Sequence, residues 1–330
     1  MQMRPFSESA GVRCRGHSIG LERAITDFGI DDPFGQTPKK VREHYGIDIP
    51  VSLARVITLR HGQRVESNRE VLRTLPRGGV NRLIGEMDGC MAPIVSINER
   101  ENEQSPSDGR KRRKLSWEEA RVCFARDPEK ITGRYAATMG DTDKAGELFA
   151  DCVIRAGGGL ATELHCLGDG ASWIVTQAKK RLPMLVIFLL DFYHVSEYLA
   201  EAAEVIAGEQ KVPWLKVQQE RMKSNKVSEV LMELSDSDYA TEAKDHPVVA
   251  CKRYIENRLD QLDYAGAIKA DLPIGTGEVE GAHRWLIQKR IKLSGAWWTT
   301  QNLEKMLALR VLRANDDWES YWAEVRQVAA

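Results

Sequence analysis

Three aspartates and a pair of glutamates stand where a carboxylate has to be accounted for. Asp88 ends the apolar run in "NRLIGEMDG" and precedes Gly89. Asp169 lies between two glycines in "LHCLGDGASW". Asp191 closes "LVIFLL", and Glu278 and Glu280 sit in "GTGEVEG", residues 275 to 281. A carboxylate at the end of a buried strand must meet solvent, a metal or a hydrogen-bond donor, because burying it unpaired is costly. Where such strands are neighbours, their terminal carboxylates can converge. Hard divalent cations such as Mg²⁺ seek oxygen ligands of this kind. Two cations roughly 4 Å apart can hold the attacking and leaving oxygens of a phosphodiester in line. Taken singly, each residue has an ordinary reading: Asp-Gly is a common turn, and Asp191 could cap the following helix.

The glutamates pose a choice. Residues two apart on a helix point roughly 200° away from each other, so Glu278 and Glu280 cannot both serve one site. Glu280 shares a face with His283, Arg284 and Ile287, and Glu278 with Gly281, Ala282 and Trp285. Periodicity alone does not decide between them.

The elements that must position these residues follow from pattern. "NRLIGEMDGCMAPIVSI" reads as a strand, a bend and a second strand. "SWEEARVCFARD" reads as another strand, and "ITGRYAATMG" as a further extended piece. Residues 99–114, polar and charged, form a hairpin loop. "TDKAGELFADCVIRAG" is a helix opened by Thr or Asp, "TELHCLGDG" a strand before a short helix, and "MLVIFLLDFYHVSEYLAEAAEVIAGE" a buried strand running into a helix. Sequential strands followed by alternating helix and strand predict a mixed sheet with helices on its faces. Ahead of it, "TPKKVREHYGIDIPVSLARVITLRHGQRV" places Thr37 as a cap, Pro38 in the first turn, Gly46 at the stop and a second helix from Val51. That is a helix-turn-helix-like pattern, and an ordinary helical hairpin fits it equally. The expected organisation is an irregular segment over 1–36 that admits a short helix around "GLERAITDFG", a helix-turn-helix-like region over 37–75, an α/β core over 80–195, a helical insertion over 196–270, and the remainder of the core over 271–330. Asp88 and Asp169 on strands with a glutamate opening a late helix is the arrangement an RNase H-like fold uses for two-metal chemistry.

Together, "EMDGCMAPI", "GDGASWI", "LLDFYHVSEYL" and "GTGEVEGAHRWLIQKRIKLSGAWW" resemble the Kra-type insertion-sequence DDE transposases, allied to the Mutator-like superfamily. The resemblance spans residues 35–310. It implies Asp88, Asp169 and Glu280 as the catalytic, metal-holding acids, with Glu280 in the family's glutamate position and Glu278 in a variable one. It implies Asp191 and His194, from a D-x-x-H pattern, as accessory groups, with Asp191 as the second choice for the second metal ligand. Two Mg²⁺ or Mn²⁺ ions would serve cleavage at transposon ends and transfer of the freed 3′-hydroxyl into target DNA. The implied partners are both DNAs and a second copy of the chain. Arg284, Lys289, Arg290 and Lys292 follow Glu280, where scissile phosphates would pass, and Arg110, Lys111, Arg112, Arg113 and Lys114 offer a second backbone contact. Trp297 and Trp298 could stack on an unpaired base, or pack a core. Relatives carry more sequence ahead of the helix-turn-helix.

Composition sets limits. The chain has 330 residues, 42% hydrophobic and 29% charged, with a net charge of −1. Affinity for DNA must then come from local basic stretches. Six cysteines lie singly without C-x-x-C spacing, which argues against a zinc ribbon or disulfide framework. The run "LPMLVIFLL" is half the length of a membrane span, and no apolar signal core opens the chain. A cytoplasmic, nucleoid-associated bacterial protein is the expectation. A nuclease that cuts without joining, a truncated or inactive relative kept as a DNA-binding protein, and a helix-turn-helix regulator with an unrelated ligand domain remain alternatives.

Overall fold

The computed structural model describes residues 16–97, 113–235, 243 and 245–329. At its centre is a five-stranded mixed sheet of order β3-β2-β1-β4-β5. The strands are β1 Arg82–Ile97, β2 Arg113–Arg126, β3 Arg134–Thr138, β4 Glu163–Gly168 and β5 Leu185–Leu190. β1 pairs antiparallel with β2 and β2 with β3, while β1, β4 and β5 run parallel.

β1 is one continuous strand of 16 residues, without the expected bend. Its pairing with β4 stops at Glu86, and beyond that point β2 is the one strand that pairs with it among the described residues. The Val95 N–H turns away from β2 to the Trp298 carbonyl at 2.7 Å. Pro93, two residues earlier, faces the same way, so the strand loses no ladder bond by its missing N–H. β2 begins at Arg113, so Arg113 and Lys114 are strand residues opposite Ile97 and Ser96 rather than loop. Arg110, Lys111 and Arg112 lie outside the described residues.

Helices cover both faces. On one side α4 (Thr142–Arg155) and α5 (Ser172–Arg181) bury Leu148, Phe149 and Ile174 against Leu83, Met87 and Cys166. The other side is divided. Ile84, Leu167 and Leu189 pack on α6 (Phe192–Ile206), α7 (Lys211–Lys223), α8 (Val227–Glu233), α9 (Pro247–Glu256) and α10 (Tyr264–Lys269). Cys90, Ala92 and Ile94 pack on α11 (residues 277–291), α12 (Thr300–Ala314) and α13 (Trp318–Ala329). Here α11 starts as Gly277–Ala282, passes through a π-helical stretch His283–Gln288, and ends as Lys289–Ile291.

The segment before the sheet holds α1 (Ile19–Asp31), α2 (Thr37–Tyr45) and α3 (Val51–Ser67), joined by a small core of Ile25, Val41, Ala54 and Ile57. α1 covers the short helix that "GLERAITDFG" admits and extends beyond it, so the segment expected to be irregular is helical over Ile19–Asp31. α2 stops at Gly46, whose φ of 67° is the left-handed conformation that favours glycine. Thr37 opens α2 from inside and gives no capping bond, and Tyr45 is exposed. The five described cysteines are free and buried. Among the described residues, no helix is long and apolar enough to cross a membrane.

Candidate active site

The sheet register aligns the aspartates. The last β1–β4 pair is Glu86 with Leu167, and the last β4–β5 pair is Gly168 with Leu190. One-to-one continuation of parallel strands brings Asp169 level with Asp88, and Asp191 level with Asp169. Adjacent strands lie about 4.8 Å apart. Alternation places Glu86, Asp88, Leu167, Asp169, Leu189 and Asp191 on one face. That face is the divided one, and Glu86 and Asp88 fall between Ile84 of one apolar cluster and Cys90 of the other.

Asp191 has no carboxylate capacity to spare. It is fully buried. Its Oδ1 accepts the N–H groups of Tyr193 and His194 at 2.6 and 3.1 Å, capping α6. Its Oδ2 accepts the Thr276 N–H at 2.6 Å and hydroxyl at 2.5 Å. Four donors satisfy the carboxylate and fasten the segment ahead of α11 to β5. The Phe192 N–H donates to the Ile274 carbonyl at 2.9 Å, and His165 Nε2 to that of Pro273 at 2.8 Å. Gly275 is needed here, since a Cβ would lie 2.6 Å from the Tyr193 ring.

Glu86 holds the other side of the same helix start. It is 1% exposed, and its Oε2 accepts the Val279 N–H at 2.8 Å, one of the donors a helix leaves open in its first turn. Burial outweighs that bond and raises its pKa to about 8, with the charge of Glu278 adding to the rise. The sequence does carry a signal for Glu86: it precedes Asp88 by two residues and so shares its strand face.

With α11 pinned at Thr276 and Val279, the glutamates separate. Glu278 turns toward β2 and pairs with Arg126 at 3.3 Å. Glu280 is exposed and acts electrostatically on Asp88. Asp88 is pushed up to about 7, first by burial and then by the like charges of Asp169 and Glu280, opposed by the Gly89 N–H and by His194. His283, on the face of Glu280, brings Nδ1 within 3.5 Å of Asp88 Oδ2. Burial, and secondarily Lys292, lowers the His283 pKa to about 4, so the ring is neutral. His194 pairs with Glu197 at 3.1 Å.

Asp169 sits on a braced turn. Its Oδ1 accepts the Ala171 N–H at 2.8 Å, and its carbonyl accepts the Tyr254 hydroxyl at 2.6 Å. Arg258, one helical turn further, donates through Nη2 to the Gly170 carbonyl at 2.8 Å and lies over the Tyr254 ring. These α9-side residues had no sequence signal, because only the tertiary fold brings them to Gly170.

Of the four acids the sequence singles out at this face, Asp191 is committed to backbone and hydroxyl donors. Among the described residues, no three His, Cys, Asp or Glu side chains are gathered tightly enough to hold an ion as they stand. Of the basic residues after Glu280, Arg284 and Lys289 are exposed and Lys292 is half-buried. Arg290 departs from the expected DNA contact. It is 2% exposed, donates through Nε to the Gly29 carbonyl at 3.3 Å, and is sandwiched between Phe34 and Trp298 at 4.8 and 4.9 Å. A guanidinium so enclosed cannot touch a passing phosphate. Compared with known proteins, the chain matches no family model and no curated sequence.

Proposed function

We propose that this chain is a DDE-type transposase with an RNase H-like core, similar to the Kra-type insertion-sequence enzymes, in which residues 196–270 are a helical insertion into the core. The observation that carries this reading is the register. Asp88, two residues past the last β1–β4 pair and within β1, and Asp169, one residue past the end of β4, come level on one face, and the helix start bearing Glu280 is fastened over that face by Glu86 and Asp191. What supports the reading is that carboxylates from three separated sequence motifs act on one another, the charges of Asp169 and Glu280 both raising the pKa of Asp88.

In this reading, Asp88, Asp169 and Glu280 would hold two Mg²⁺ or Mn²⁺ ions. When bound, such ions supply activation of water and neutralisation of the leaving 3′-oxygen. The chain's own contribution is alignment. Glu86 and Asp191 fix α11, Tyr254 and Arg258 fix the Asp169 turn, and neutral His283 orients Asp88. Arg284, Lys289 and Lys292 attract the phosphate backbone without reading bases.

The test is cleavage of DNA carrying the element's own ends. Asp88→Asn, Asp169→Asn and Glu280→Gln should each abolish Mg²⁺-dependent cleavage while DNA binding persists, and Glu278→Gln should be mild. Equal loss from Glu278→Gln would overturn the site. Cleavage without joining, in the same assay with target DNA added, would reduce the activity to that of a nuclease.

A further inference from the structure

Beyond the carboxylate cluster, a groove of about 860 Å³ runs between α3, the end of the β1–β2 hairpin and residues 293–299. Its wall carries Trp297, which is 50% exposed although its neighbour Trp298 is 4% exposed. The contrast has a structural cause. Trp298 is laid against β1 as an isolated bridge to Ile94, its carbonyl accepting the Val95 N–H and its indole N–H donating to the Ile291 carbonyl at 3.2 Å. Extended backbone alternates its side chains, so anchoring Trp298 inward holds Trp297 outward. The Arg113 guanidinium lies 5.0 Å from the Trp297 ring centroid.

The charge of the groove is one-sided. Arg55, Arg113 and Arg290 line it, with no Asp or Glu among the described residues that do. A second groove, sharing Arg55 and Leu59, continues along α3 past Arg60, Arg64 and Lys305, again without an acidic lining residue among those described. Of these cations, Arg60 is paired, with Glu22 at 2.6 Å. Beneath the first groove, Arg290 Nη2 is buried with no hydrogen-bond partner, while the charges of Asp31 and Asp32 act on its guanidinium.

We propose that this groove binds one unpaired nucleotide of a DNA strand, with its base stacked on Trp297 and its flanking phosphates on Arg113 and Arg55. A half-exposed indole beside guanidinium groups is the combination that takes single-stranded nucleic acid, because every base offers a π-face. The placement rests on the transposase reading in one respect. From Glu280 to Ile291 the helix rises roughly 16 Å, which along one DNA strand is about five nucleotides. For a strand that follows α11, the stacked base therefore lies about that far from the cleaved bond.

The experiment measures binding only, in EDTA, by fluorescence anisotropy of a labelled single-stranded dT oligomer and of a duplex of the same length. Trp297→Ala should weaken single-strand binding by about tenfold or more and change duplex binding less than twofold. Trp297→Tyr should retain most of the single-strand affinity, and Arg113→Gln should weaken both substrates. An unchanged single-strand affinity in Trp297→Ala, or an equal loss on both substrates, would overturn the proposal. Since Trp297 is half exposed, the variant should melt like the parent. Asp88→Asn should bind both DNAs normally, so a failed cleavage assay would remove the catalytic reading and leave this site standing.

Discussion

Replacing Glu86 with glutamine tests the clamp on α11 directly. Glutamine keeps an oxygen for the Val279 N–H but cannot ionise. In the native protein Glu86 holds its proton to about pH 8, against 4.5 for the unperturbed group. Between those values the folded state binds more protons than the unfolded one, so the parent loses stability as pH rises through this window. With each pKa unit worth about 1.4 kcal/mol, the loss between about pH 5 and about pH 8 is roughly 3 kcal/mol. Glu86→Gln escapes that loss, and the contribution of Asp88 is common to both proteins and cancels. Urea unfolding in EDTA at the two pH values measures the difference. The variant should match the parent within about 1 kcal/mol at the lower pH and exceed it by roughly 3 to 4 kcal/mol at the higher. Parallel pH profiles would show that Glu86 is ionised in the folded state, and the account of a neutral carboxyl holding the helix start would fail.

Three further outcomes follow from the site. Asp88 must lose its proton to bind a cation, and its pKa is raised to about 7; Mn²⁺ affinity by calorimetry should therefore climb about tenfold per pH unit below that value and level off above it. Tyr254→Phe removes the hydroxyl donor to the Asp169 carbonyl, which should cost about 1 kcal/mol in urea unfolding and weaken Mn²⁺ binding; an unchanged affinity would show that the turn needs no brace. Gly170 has φ 84°, and a Cβ there would lie 2.4 Å from Arg258 Nε and 2.6 Å from a Leu190 methyl carbon. Gly170→Ala should therefore cost roughly 1–3 kcal/mol by thermal or urea unfolding.

The sequence by itself determined the local elements and the identity of the acids worth weighing. Apolar runs ending at Asp169 and Asp191 specify strands, Gly46 specifies a helix stop, and the alternating strand–helix order specifies a mixed sheet with helices on both faces. These are short-range properties, written in periodicity and turn chemistry. Gly89 and Pro93 are usual strand breakers, and only the sheet shows that β1 runs through them because Pro93 faces a side with no ladder bond to lose. Tertiary structure alone decided which carboxylates are free. Asp191 looks as available as Asp169 until Thr276, 85 residues away, donates twice to it. Arg290 looks like its neighbours Lys289 and Lys292 until Phe34 and Trp298 close around it. The choice between Glu278 and Glu280 is of the same kind. A helix fixes their separation of roughly 200°, but its rotation about its own axis is set by Glu86 and Asp191, contacts between residues far apart in the chain.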